Sequence, residues 1–160
     1  MTPVQVGDKA PAFRLVSDSK EMVTLDDYRG KNLVLLFFPM AFTSVCTREL
    51  CGIRDDFAAY QGLGAEVLGI SVDSPFTLHR FREEQGLGFP LLSDFNKEAS
   101  TAYGVLYEEF VLGLKGVAKR SAFVLDPEGT VRYAEVLDNA GNLPNFANIQ
   151  QALRTLKEPA

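Results

Sequence analysis

The 160-residue chain is poor in cysteine and histidine, with two of the first and one of the second. A structural zinc site takes four Cys or His ligands in paired spacings, and no such set occurs here. The single His79 stands in a polar, helix-like run and receives no role, so no metal and no other cofactor is expected. Basic residues are also outnumbered, 16 against 21 acidic ones, for a net charge of −5. Binding a nucleic-acid backbone needs clustered Lys and Arg to replace counterions, which excludes nucleic acid as the main partner. No apolar run approaches the roughly 20 residues that span a bilayer. The opening MTPVQVGDKAPAF has no basic segment followed by an apolar one, so no membrane association and a cytoplasmic address are expected. No glycine-rich phosphate loop or dinucleotide fingerprint appears, and any electrons must therefore arrive by thiol exchange.

What is present is an ordinary globular composition, 46% hydrophobic and 23% charged, without repeats or low-complexity tracts. One domain over residues 1–160 is the expectation for this length. Three apolar runs read as buried strands: Leu33 to Phe38, Val67 to Val72 and Ala122 to Leu125. Their lack of alternation suits central strands covered on both faces. The turn signal Asp126-Pro127-Glu128-Gly129 leads into Val131 to Val136 and predicts an antiparallel hairpin. Leu50, Ile53 and Phe57 recur at helical spacing and predict one helix from Thr47 to Tyr60, which stops before Gly62 and Gly64. A second helix is predicted over Pro75 to Gln85, capped by Asp73-Ser74, and a closing one carries Phe146, Ile149, Leu153 and Leu156. The order strand, helix, strand, helix, hairpin, helix predicts an α/β fold with a central mixed sheet flanked by helices.

Both cysteines lie in Phe38 to Gly52, FPMAFTSVCTRELCG, five positions apart at Cys46 and Cys51. That spacing is too wide for a C-x-x-C dithiol. If the strand ends at Pro39 and a helix begins near Ser44 to Cys46, Cys46 falls in the first turn. Free backbone N–H groups and the positive end of the helix dipole favour a thiolate there. Ionisation alone raises a thiol's reactivity by at most a few tens of fold, so fast chemistry also needs a group that stabilises the departing oxygen.

Pro39, Thr43 and Cys46 stand as P-x-x-x-T-x-x-C, which resembles the active-site motif of the peroxiredoxins of the AhpC/TSA superfamily. Flanks such as GDKAPAFRL, LVLLFF, FPLLSD, AYGV and KRSAFVLDPEGTVR extend the likeness over most of the chain. The resemblance implies a thioredoxin-like fold and a thiol-dependent peroxidase acting on hydrogen peroxide and organic hydroperoxides. On it, Cys46 matches the peroxidatic cysteine that becomes a sulfenic acid. Thr43 matches the hydroxyl that bonds the peroxide, and Pro39 the residue that shields the pocket. Arg120 matches the guanidinium that holds the thiolate and polarises the peroxide. Glu49 matches the position that orients that arginine.

CTRELCGIRD resembles the Q-type, or bacterioferritin comigratory, branch, in which the second thiol resolves the sulfenic acid as a disulfide. FFPMAFT and RYAE are closer to the E-type, one-cysteine branch. Five residues of α-helix separate two Cα atoms by roughly 8.5 Å, beyond the disulfide limit of about 7 Å, so a Cys46–Cys51 bond requires the helix to open. The implied reductant is a thioredoxin-type protein, and both a homodimer and a monomer are compatible with the motifs. Alternatives are a one-cysteine peroxidase recycled by external thiols, a thioredoxin-like disulfide oxidoreductase, and a noncatalytic interaction module. Each cysteine also has a plain reading as a small buried hydrophobe. The segment from Val105 to Val117 reads equally as pocket floor, dimer contact or sheet packing, and Phe42 invites the first two readings.

Overall fold

The computed structural model describes residues 2–157. Seven strands form one mixed sheet: β1 (Arg14–Ser17), β2 (Met22–Thr24), β3 (Asn32–Phe37), β4 (Ala65–Ser71), β5 (Leu91–Ser93), β6 (Ser121–Leu125) and β7 (Val131–Val136). Their spatial order is β2-β1-β5-β4-β3-β6-β7. The centre is parallel, with β3 beside β4 and β4 beside β5, and antiparallel partners β6 and β1 continue it on either side. The helices are α1 (Ser44–Asp55), α2 (Phe57–Gly62), α3 (Pro75–Gln85), α4 (Glu98–Ala102) and α5 (Phe146–Lys157).

The unbroken apolar run in β3 follows from burial on both faces. Val34, Leu36 and Phe38 enter a core shared with Leu50 and Ile53 of α1, Leu78 and Phe81 of α3, and Ile149 and Leu153 of α5. The alternate residues Leu33, Leu35 and Phe37 enter a second core with Ile70, Phe123 and Tyr103. A strand has a side-chain period of two, so covering both faces removes the usual polar alternation. Gly69 of β4 leaves room for the first core, since a Cβ there would lie 2.6 Å from Leu91 Cδ2 and that side chain would have to shift.

The central strands, the β6–β7 hairpin, α3 and α5 stand where the sequence places them. Ser74 caps α3 by accepting from Thr77 N at 3.1 Å, with Pro75 in the first turn. The single helix predicted over Thr47 to Tyr60 is corrected to two. The start at Ser44 falls where the thiol's placement required it, near Ser44 to Cys46, but the helix breaks at Asp56, whose φ of −103° and ψ of 12° leave the helical region. Asp55 and Asp56 put two carboxylates at the negative end of α1, and aspartate favours a cap over a helix interior. Asp56 accordingly opens α2, its carbonyl accepting from Ala59 N at 2.9 Å.

Candidate active site

The exit from β3 is a tight loop. Pro39 is buried there, and Ala41 N donates to Asp73 Oδ2 at 2.8 Å, which ties the loop to the end of β4. Phe42 takes a φ of 67° and packs edge-on against Phe81 of α3, 5.1 Å between ring centroids. Thr43 then precedes the first residue of α1 in extended conformation. Its carbonyl accepts from Thr47 N, and its hydroxyl donates to Met40 O at 2.8 Å. With that proton committed, Thr43 Oγ1 keeps lone pairs to accept from a donor in the pocket.

Cys46 sits in the first turn of α1 and is 1% exposed. The N–H groups of Ser44, Val45 and Cys46 belong to the set that an α-helix leaves without internal carbonyls. Arg120 immediately precedes β6 and is also buried, so the sheet carries its guanidinium beneath α1. Its Nη2 donates to Cys46 Sγ at 3.2 Å and to Ala140 O at 3.1 Å. Its Nη1 donates to Glu49 Oε1 at 2.7 Å, a pair wholly removed from solvent. Glu49 lies three residues after Cys46, on the same side of the helix. The sequence thus places a nucleophile and a carboxylate one turn apart, and the fold brings a cation to both.

The pair is electrostatically tense. Glu49 is pushed up to about 7, chiefly by burial, against the opposing charge and hydrogen bond of Arg120 and with a further push from Glu135. Its Oε2 and the Nε of Arg120 are buried without hydrogen-bond partners. For Arg120, burial opposes the charge, but Glu49 and Cys46 together outweigh it and raise the guanidinium above its ordinary value. Arginine stays charged in either case, so any proton taken up by the pair resides on Glu49.

Above Cys46 opens a pocket of about 350 Å³. Met40, Thr43 and Val45 line one side, and Phe110, Val111, Leu112 and Leu114 the other, with Arg120 at the base. In the segment from Val105 to Val117 the middle residues line the pocket and the ends pack in the core, while Leu112 at the tip is 94% exposed. Sequence reasoning missed three contributors: Glu135, the Ala140 carbonyl, and Tyr107, whose phenol is raised by burial while Arg120 opposes the shift. None carries a local motif, because Glu135 acts on Glu49, and Ala140 and Tyr107 on Arg120, only through tertiary proximity.

Cys51 is half-buried, and both thiols are free. Its Sγ lies 3.4 Å from Gln85 Oε1 at the end of α3. His79 is exposed and pairs with Glu83 one turn on. No described helix is long and apolar enough to cross a membrane.

A buried thiol on a helix N-terminus, met by an arginine at the entry to the strand beneath, marks the class of thiol enzymes built on a thioredoxin-like sheet. The chain belongs to the AhpC/TSA family, whose model matches residues 6–134, and it is a peroxiredoxin, a peroxidase. A Mycobacterium tuberculosis protein provisionally named a peroxiredoxin is 43% identical over 136 residues, covering 84% of this chain and 86% of its own. Mouse peroxiredoxin-2 is 39% identical over 163 residues, 96% of this chain and 78% of its own. Among solved structures, a peroxiredoxin-like protein from Aquifex aeolicus superposes with a TM-score of 0.88 at 27% identity, over 98% of this chain and 90% of that one. Peroxiredoxin Q from Xanthomonas campestris gives 0.80 at 30%, over 91% and 92%.

Proposed function

We propose that Cys46 is the nucleophile of this peroxidase and that hydrogen peroxide and organic hydroperoxides are its substrates. The observation that carries this reading is the buried Arg120, whose Nη2 lies 3.2 Å from Cys46 Sγ while Nη1 is held by Glu49. The Cys46 thiolate attacks the terminal peroxide oxygen and the O–O bond breaks. The products are a sulfenic acid on Cys46 and an alkoxide or hydroxide, which takes up a proton and leaves as alcohol or water. Arg120 and the first-turn N–H groups stabilise the charge that develops on the departing oxygen. Thr43 Oγ1 orients the hydroperoxide by accepting its O–H. Pro39 shields the loop behind the pocket and has no N–H to satisfy. The apolar wall from Phe110 to Leu114 suits the organic part of an alkyl hydroperoxide.

Cys51 then resolves the sulfenic acid. Its sulfur bonds to Cys46 Sγ, water leaves, and the Cys46–Cys51 disulfide is returned to two thiols by a thioredoxin-type reductant. The five-residue spacing within α1 supports a resolution step that requires local opening of that helix. Stopped-flow mixing of reduced protein with hydrogen peroxide or an alkyl hydroperoxide, followed by mass measurement, tests the scheme. A loss of two hydrogens per chain is expected after one equivalent. A lasting gain of one oxygen would place the protein in the one-cysteine mode, recycled by external thiols.

A further inference from the structure

Cys51 occupies a built contact. It lies on α1 at the point where that helix meets the end of α3, and its Sγ is 3.4 Å from Gln85 Oε1. Gln85 is the last residue of α3, followed by Gly86 in the left-handed region at φ 64°. Its backbone carbonyl therefore belongs to the last turn, where no helical N–H remains to bond it. Arg54, one turn after Cys51 on the same side of α1, supplies that bond, with Nη1 donating to Gln85 O at 2.6 Å. A single residue of α3 thus engages α1 twice, through its side chain at the second thiol and through its backbone at Arg54. Asp55 holds Arg54 from the other side, with Nε to Oδ1 at 3.0 Å. Arg54 is raised above its ordinary value by that bond first and by the nearby Cys51 second.

We infer that Gln85 is the positioning residue of Cys51, a latch that holds the second thiol until Cys46 has been oxidised, and that Arg54 anchors the part of α1 that stays folded. The inference rests on the reading of Cys51 as the resolving thiol. An amide oxygen accepts from S–H and offers nothing to a thiolate. The Gln85 contact ties the Cys51 S–H to α3, and it must break before the sulfur can swing toward Cys46. The Arg54–Gln85 carbonyl bond lies beyond the segment that has to open, and it survives the step. It is backed by the discontinuity at Asp56 and by α2, whose Tyr60 is fully buried and whose Phe57 packs on Phe89 at 5.8 Å. Opening is thereby confined to the stretch between Thr43 and Arg54. When the reductant later attacks Cys46 Sγ and the disulfide breaks, Cys51 departs as a thiolate beside a guanidinium.

Two substitutions at Gln85 separate this role from a general loss of packing. Gln85→Ala removes the acceptor and keeps the backbone carbonyl for Arg54. Gln85→Glu keeps an acceptor in place and makes it a charged, stronger one, so the contact is harder to break. Stopped-flow fluorescence or quench with mass detection reads two phases, oxidation of Cys46 and formation of the disulfide. We expect disulfide formation to be about two- to tenfold faster in Gln85→Ala, the weight of one neutral hydrogen bond, and slower than wild type in Gln85→Glu. The oxidation phase should be unchanged in both. Opposite signs confined to the second phase are not a product of lost stability, which would move both variants the same way. Wild-type rates of disulfide formation in both variants would overturn the latch. Failure of the wild type to form any disulfide would show in the same mass spectra, and it would remove the resolving reading together with the latch.

Discussion

The two ends of α1 carry the same side chain in opposite settings. At the N-terminal end Cys46 is enclosed, and groups from the β3 exit loop, β6 and the 137–145 loop converge on it or on its arginine. At the other end Cys51 is half-buried and touches one amide of α3. The first setting presents a cation, unfilled helix N–H groups and an apolar mouth, all suited to an anion attacking a small electrophile. The second offers a weak acceptor that is easily given up. On the proposed scheme, one thiol reacts where it stands and the other after it leaves. The difference lies in long-range packing, since both cysteines share one helix and both are followed at the next turn by a charged residue, Glu49 or Arg54.

The sharpest way to break this comparison is to remove the first thiol. Cys46→Ser is expected to abolish peroxide consumption, because a hydroxyl is not a comparable nucleophile at neutral pH, while circular dichroism and melting remain near wild type. Rapid turnover in that variant would end the asymmetry altogether. Arg120→Ala should slow the oxidation phase by about 10²- to 10³-fold, the usual cost of a transition-state donor, measured by stopped flow under pseudo-first-order peroxide. It also removes the group that opposes burial at Glu49, which is then expected to stay protonated, and the unpaired buried carboxyl lowers stability in a denaturant titration. If Arg120→Lys restored full rate, the planar fork would be irrelevant and point charge alone would suffice.

A smaller but more selective loss is expected from Thr43. The hydroxyl is the part that matters, so Thr43→Ser should retain most of the oxidation rate and Thr43→Val should lose it. Equal rates in all three proteins would take Thr43 out of the site. At the far end of the helix, Cys51→Ser should leave the oxidation phase untouched. The sulfenic acid should then persist, pass readily to sulfinic acid at high peroxide, and turn over only with a small external thiol. Thioredoxin-linked turnover equal to wild type would show that the second thiol is inert.

The mildest expected effect concerns pH. Glu49 is raised from 4.5 in the unfolded chain to about 7 in the fold, so folding favours its protonated form. The stability this contributes is fully present below about 4.5 and is lost as pH rises to about 7. Glu49→Gln should remove that component, flattening the dependence of unfolding free energy on pH between these limits. An unchanged slope would mean that Arg120 outweighs burial and keeps Glu49 ionised throughout.

Much of the frame is legible because it depends on local patterns. β3, β4, α3 and α5 are long enough for their apolar periods to register, and the Asp126 to Gly129 turn announces the hairpin. β1, β2 and β5 have four, three and three residues, too short for any period to stand out, and they exist by pairing with neighbours. The break at Asp56 was hidden by continuous helical spacing from Leu50 to Phe57, which a kinked pair of helices satisfies as well as a straight one. In the site, Cys46, Thr43 and Pro39 are legible as a motif, whereas Glu135, Ala140, Tyr107 and Gln85 are not.

By itself the sequence determined which residues can be chemical here: two thiols at a spacing that a helix keeps apart, a helix start at Ser44, and a buried parallel core to support it. Tertiary structure alone decided what each thiol meets. Arg120 lies 74 positions from Cys46 and 71 from Glu49, and Gln85 lies 34 from Cys51. Contacts over such separations come from sheet order and helix packing rather than from the run of residues around each cysteine. Strand β6 pairs with β3 and carries Arg120 under the helix that β3 feeds, while α3 lies along the same face and ends against Cys51. An arginine sealed from water beside a sulfur is a strong electrostatic partner, and an amide at a half-open edge is a weak one. Burial and distance made that difference, and they are properties of the packed sheet and helices.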